Sequence, residues 1–157
     1  MSLERAKKHL EKFSLEDRII EFDISSATVA LAAAALGTEE ARIAKTLSFL
    51  TDKGAILVVM AGDVKVDNKK FKATFATKAK MLAYEDVERL IGHAVGGVCP
   101  FGVNDGVPVY LDESLRRFDV VYPAAGTASS AVRLTVAELE MASLAVEWVD
   151  VGAPYQI

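Results

Sequence analysis

The 157-residue chain reads as an α+β protein with a mixed, mostly antiparallel, barrel-like sheet flanked by helices. Three observations predict this. Two apolar runs, 43–50 and 55–61, are joined by Thr51-Asp52-Lys53-Gly54, which has the chemistry of a tight hairpin turn. Short helical patterns are scattered among further strand-like runs, without the regular alternation that builds a parallel sheet. With 52% hydrophobic and 25% charged residues, the composition is that of a globular chain able to bury a core, so residues 1–157 read as one domain.

In chain order, 3–13 is an amphipathic helix with Leu3, Ala6, Leu10 and Phe13 near one stripe. Residues 18–23 form a short strand. Ser25 or Ser26 can cap a helix over 28–36, which Gly37 ends. That helix is almost entirely Ala, Val and Leu and is expected to be buried. Residues 39–42 add a helical turn before the 43–50 and 55–61 hairpin, and Gly62-Asp63 breaks its second strand. Residues 67–71 and 84–91 are helical, the latter closed by Gly92. A strand at 107–111, a helical turn at 112–118 capped by Asp112, and a strand at 119–122 follow. After the turn Pro123-Ala-Ala-Gly126 come a strand at 131–134, a helix over 135–144 opened by the capping box Thr135-Val-Ala-Glu138, and a last strand at 145–151. No internal repeat, linker or low-complexity tract interrupts the series.

Several function classes are disfavoured by composition. No apolar run approaches the roughly 18 residues of a membrane span, and MSLERAKKHLEKF lacks the apolar centre of a signal peptide. One cysteine, Cys99, and two histidines, His9 and His93, give neither a disulfide nor a zinc cluster. These features suit a reducing, cytoplasmic setting. A net charge of −4 argues against a generic nucleic-acid binder. The charge is uneven, however: Lys65, Lys69, Lys70, Lys72, Lys78 and Lys80 stand against the single acid Asp67 in that stretch. Such a strip is either a solvated face or a place to touch a few phosphates.

Chemistry is best sought in two places. Residues 96–102, Gly-Gly-Val-Cys-Pro-Phe-Gly, form a glycine-rich loop that can bring backbone N–H groups close to a carbonyl or phosphate, or can simply be a rigid turn. Lys45 lies in the otherwise apolar Ile-Ala-Lys-Thr-Leu-Ser-Phe run, on the strand face of Leu47 and Phe49. A lysine there either snorkels to water or uses its charge on an anion or a carbonyl oxygen. Cys99 is the natural nucleophile, with His93 as its candidate base, or else a small side chain lining a pocket. No metalloprotease, nucleotide-loop or serine-hydrolase motif is present. An enzyme without these needs another source of catalysis, and positioning with electrostatic stabilisation can suffice where the substrate bond is already activated.

Lys45-Thr-Leu, Gly62-Asp63, Val66-Asp-Asn-Lys-Lys70, the 96–102 loop, Asp112-Glu-Ser-Leu115, Ala125-Gly126 and Val132-Arg-Leu-Thr135 with Glu138-Leu139 occur in an order that resembles the YbaK/ProX family of aminoacyl-tRNA deacylases. These are related to the editing domain inserted in bacterial prolyl-tRNA synthetases. The resemblance runs from about residue 25 to 140. It implies the family's barrel-like sheet and hydrolysis of the ester on a mischarged tRNA, often tRNA(Pro) carrying Cys, Ala, Ser or Thr, without metal or cofactor. Lys45 matches the family's functional lysine; Gly96 and Pro100 match its Gly-x-x-x-Pro loop, so Lys45 and the backbone of Gly96, Gly97 and Val98 are the expected catalytic groups. Substrate contacts are expected from Thr46, Met60, Gly62, Cys99, Pro100, Phe101, Gly102 and Gly126. The six lysines of 65–80 would meet the tRNA, and prolyl-tRNA synthetase is a candidate protein partner. One departure stands out. Where many members follow the second glycine with Lys-Arg-Gly or a Ser-His pair, this chain has Thr127-Ala-Ser129-Ser130, whose hydroxyls either hydrogen-bond substrate or form a polar turn. The alternatives are a catalytically silent tRNA- or protein-binding regulator of the same fold, and a small-molecule esterase.

Overall fold

The computed structural model describes residues 2–155. Its centre is the hairpin of β2 (Ile43–Thr51) and β3 (Gly54–Ala61), in register from Ala44–Ala61 to Thr51–Gly54. β3 is buried continuously from Ile56 to Ala61, as befits an apolar run covered on both faces. β5 (Val109–Asp112) lies parallel to β3, and β9 (Glu147–Val149) parallel to β5. On the other flank β6 (Val120–Pro123) runs parallel to β2, and β8 (Leu134–Thr135) antiparallel to β6. The order β8-β6-β2-β3-β5-β9 makes a six-stranded, curled half-barrel. Two small antiparallel pairs complete the architecture: β1 (Ile19–Glu21) with β7 (Ser130–Val132), and β4 (Val64–Val66) with β10 (Gly152–Pro154). The fold is thus the α+β, mixed-sheet class that the sequence predicts, antiparallel in four of the seven strand pairings.

Five helices pack around this sheet: α1 (Ser2–Glu11), α2 (Val29–Leu36), α3 (Asn68–Phe75), α4 (Tyr84–Ile91) and α5 (Val136–Ala142). α5 opens with the expected capping box, the Thr135 hydroxyl accepting from Glu138 N–H and the Glu138 carboxylate from Thr135 N–H. α2 starts at Val29, so its N-cap is Thr28, whose hydroxyl accepts from Leu31 N–H at 3.1 Å, rather than Ser25 or Ser26; the Ser26 hydroxyl donates instead to the Ala128 carbonyl at 2.9 Å. It is also less buried than its composition predicts. Ala32 and Ala33 pack with Ile43 in a small cluster apart from the main core, while Leu31 stays 45% exposed. Val29 and Ala32 face the cleft, whereas Ala30, Leu31 and Ala34 turn to solvent with nothing packed over them.

α3 continues four residues past the predicted end at Phe71. The reason is an aromatic chain at i,i+4 spacing: Phe71 meets Phe49 at 4.8 Å and Phe75 at 4.7 Å, and Phe75 meets Tyr110 at 4.9 Å. The run predicted as one strand at 131–134 is divided between β7 and β8, and the strand predicted at 145–151 shortens to β9. β4 and β10 were not foreseen. Each is three residues long and exists only by pairing with the other, so neither carries a periodic signal.

Candidate active site

The cleft arises where two paired strands part. β2 and β6 are bonded only at Ile43–Tyr122 and Ala44–Pro123. Beyond Ala44 the outer edge of β2 is left open until Ser48 and Leu50, where the 80–82 segment bonds to it: Leu82 N–H donates to Ser48 O at 3.1 Å, and Leu50 N–H to Lys80 O at 2.8 Å. The resulting opening has a volume of about 470 Å³. β2 residues from Ile43 to Ser48 line one side, with Thr28, Val29 and Ala32 of α2, Gly96 and Val98 of the glycine loop, and Tyr122 and Ser130 on the others. Lys45, Thr46, Gly96, Val98 and Ser130, named from the sequence, therefore line the same cavity.

The polar groups of this wall differ in how they are committed. The Thr46 hydroxyl is buried and has no partner among the described residues. Ser130 is 2% exposed and its hydroxyl is 2.7 Å from that of Thr127, which also accepts from Ser129 N–H at 3.3 Å. Thr127 and Ser129 thus stand behind Ser130 rather than on the wall itself. Lys45 is half-buried; its ammonium donates to the Val64 carbonyl and, at 3.2 Å, to the Tyr155 hydroxyl, with the Tyr155 ring 5.1 Å away. Close by, Arg117 grips both oxygens of Asp63 and holds that carboxyl below its usual range; the Lys45 charge adds a smaller push the same way.

The loop is fixed by backbone packing. A Cβ on Gly97 would sit 2.5 Å from Gly126 O and Thr127 N, so the two glycine turns lie backbone against backbone. Gly97 N–H donates to Ala94 O at 3.0 Å, which commits that amide to the turn and leaves Gly96 and Val98 as the loop residues on the cleft. Farther along, Gly102 N–H donates to His9 Nδ1 at 2.9 Å, and His9 Nε2–H donates to Ala142 O at 2.5 Å. Pro100 and Gly102 line a separate concavity of about 560 Å³ with Arg5, Lys8 and His9.

Other residues named from the sequence lie off the cleft. Met60, Cys99 and Phe101 are fully buried in the main core, and Gly62 is pressed against the Glu40 carbonyl. Gly126 is packed on Ser2 and Gly97. His93 does approach Cys99, Nε2 lying 3.5 Å from Sγ, but the pair is not set up for nucleophilic attack. His93 Nε2 is also 2.6 Å from the Phe101 carbonyl, which can only accept, so Nε2 carries the proton and is no base toward the thiol. Burial pushes the Cys99 thiol up to about 12 and lowers the pKa of His93. Among the described residues no cluster of three or more His, Cys, Asp or Glu could hold a metal ion, and no helix is long and apolar enough to cross a membrane. Of the six lysines, Lys70 is tied to Asp150 at 3.1 Å and to Gly152 O at 2.8 Å, whereas the other five are exposed.

Sequence reading missed Ser48, Leu82, Tyr84 and Tyr122 on the cleft wall, and Tyr155 on Lys45. Ser48 alone had a usable signal, being two residues from Thr46 on the same strand face.

Comparison with known proteins places these features in context. Residues 25–142 match the family model described as the aminoacyl-tRNA editing domain. The chain is 47% identical over 152 residues, 96% of this chain and 97% of the relative, to the uncharacterized protein YwhH of Bacillus subtilis. It is 28% identical over 113 residues, 71% of its length, to the proline–tRNA ligase of Bacillus cytotoxicus, of which it spans 19%. A crystal structure of a "putative trans-editing enzyme for prolyl tRNA synthetase" superimposes with a TM-score of 0.88 at 33% identity, covering 97% of each chain.

Proposed function

Since the chain belongs to the aminoacyl-tRNA editing domain family, we propose that it is a trans-acting deacylase, hydrolysing the ester of a mischarged tRNA, with tRNA(Pro) carrying Cys, Ala, Ser or Thr as the substrate class. The observation that carries the reading is that Lys45, Thr46, Gly96 and Val98 all line one cleft of about 470 Å³, and that Thr46 brings to it a hydroxyl without a partner among the described residues.

The chemistry asked of the cleft is modest. Water adds to the ester carbonyl, whose oxygen becomes an oxyanion; as the carbonyl re-forms, the acyl C–O bond breaks and the ribose oxygen leaves with the proton that the water gives up. The buried, strongly protonated Cys99 supports water as the nucleophile. The Lys45 ammonium and the loop backbone at Gly96 and Val98 supply positive charge and donors for the oxyanion. To do so the ammonium leaves both the Val64 carbonyl and the exposed Tyr155 hydroxyl, neither of which belongs to a residue lining the cleft. The Thr46 hydroxyl, having no other bond to make, orients the aminoacyl group. Val29, Ala32, Ile43 and Val98 give the cleft an apolar stretch that suits a small side chain, beside the hydroxyl-bearing Ser26, Thr28, Ser48 and Ser130. A synthetase site separates such residues by only about 1–3 kcal/mol per methylene, which is the error a second site would correct. Exposed Lys65, Lys69, Lys72, Lys78 and Lys80 supply phosphate contacts, and prolyl-tRNA synthetase is the protein partner to try first.

The test is deacylation of tRNA(Pro) charged separately with Cys, Ala, Ser, Thr and Pro. One or more mischarged esters should be lost with Pro spared, and Lys45→Ala should slow that loss about 10²–10³-fold, the cost of one oxyanion donor. Survival of every ester at enzyme excess, with tRNA still bound, would instead identify a catalytically silent regulator.

A further inference from the structure

The rim of the cleft carries large apolar side chains that no part of the fold covers. Tyr84 is 77% exposed, Met81 53% and Val95 47%, and all three line the cleft. They are held in place by the fold. Met81 is pinned to β2 by the two backbone bonds of the 80–82 segment, and Tyr84 is the first residue of α4, beside the buried anchors Leu82 and Val87. Lys78 and Lys80, both exposed, belong to the same short segment that leads to the ring.

We propose that Tyr84, flanked by Met81 and Val95, is a stacking platform for an unpaired base at the 3′ end of an RNA, with Lys78 and Lys80 on the adjoining phosphates. The proposal rests on the reading that the cleft receives an ester carried on such an end. An exposed aromatic face next to lysines has the chemistry of single-strand binding, because every base offers a π-face and every linkage a charge. Stacking at the rim also explains how a cleft of about 470 Å³ could engage a nucleotide and an amino acid together: the base remains outside and only the ester and amino acid enter.

The experiment titrates the full chain with the RNA trinucleotide CCA, following binding by NMR, and compares Tyr84→Ala, Tyr84→Phe and Lys80→Ala with the unmodified protein. Deacylation of charged tRNA(Pro) is measured on the same proteins, and circular dichroism checks their folding. Tyr84→Ala should weaken trinucleotide binding about 5- to 100-fold, the range of one lost base–aromatic stack. Tyr84→Phe should keep it, and Tyr84→Ala should raise KM more than it lowers kcat. Lys80→Ala should flatten the salt dependence of binding, which Tyr84→Ala should not. Trinucleotide binding unchanged in folded Tyr84→Ala overturns the platform even if deacylation is found. Loss in Tyr84→Phe as well overturns it in favour of a hydroxyl contact. Binding that depends on the Tyr84 ring, in a protein that cleaves no ester, upholds the platform and removes the deacylase.

Discussion

At the scale of single residues, the same functional group does different work according to what surrounds it. Cys99 has the residue type of a nucleophile and a histidine 3.5 Å away, yet complete burial keeps its thiol protonated. The expected outcome is that Cys99→Ala retains deacylation within a few-fold. In the native protein the thiol should react with a disulfide reagent such as dithionitrobenzoate only on unfolding; rapid native labelling would contradict its place in the core. Lys45 is the converse case. The sequence marks it as an oddity in an apolar strand, and the structure holds its ammonium on the Val64 carbonyl and Tyr155. The strand period could assign its face, but the partner from the other end of the chain was not legible, since nothing local to either residue refers to the other.

Elements place the loop by close contact. Gly97 fits against the backbone of Gly126 and Thr127 only because it has no side chain there, as Gly126 fits against the backbone of Ser2. Gly97→Ala is expected to destabilise the fold by about 1–3 kcal/mol, the usual cost of overpacking, and to lower activity beyond that by moving Gly96 and Val98 off the cleft. Urea unfolding together with kcat/KM measured where the variant is fully folded separates the two effects. The strong local signals, namely the 51–54 turn, the Thr135 capping box and the glycine ends of α2 and α4, were legible in the sequence and stand where read. The α2 cap is Thr28 because the helix starts at Val29, one residue later than its pattern predicts, and the end residue of an element is what a local pattern defines least.

For the molecule as a whole, the two histidines tie stability to pH. Burial, the largest cause, lowers the pKa of both His9 and His93, so the folded protein resists protonating them. Above the ordinary value of 6.5 both states are neutral and the full stability is present; as pH falls below 6.5 the unfolded chain takes up protons first and stability declines. His9 can gain its proton only at Nδ1, where it accepts from Gly102 N–H, so acid also loosens the loop. Thermal unfolding should show Tm dropping between about pH 6.5 and 5, and His9→Gln should flatten that slope. A Tm constant across that window would contradict the assignment. The paired carboxylates Asp63, Asp119 and Glu138, whose pKa values are lowered, lose their contributions only at more acid pH. The α+β class, the central hairpin, the Thr135 cap, the glycine turns, and Lys45 with the 96–102 loop as the residues to watch are all readable from the chain alone. These depend on side-chain period, backbone freedom and hydrogen bonds within a few residues. Only the tertiary structure decided that β2 parts from β6 after Ala44, that Lys45, Thr46, Gly96 and Ser130 meet in the gap, and that Met60, Cys99 and Phe101 fill the core instead. A strand pattern says which way a side chain points, whereas what it points at is set by pairings between segments far apart in the chain.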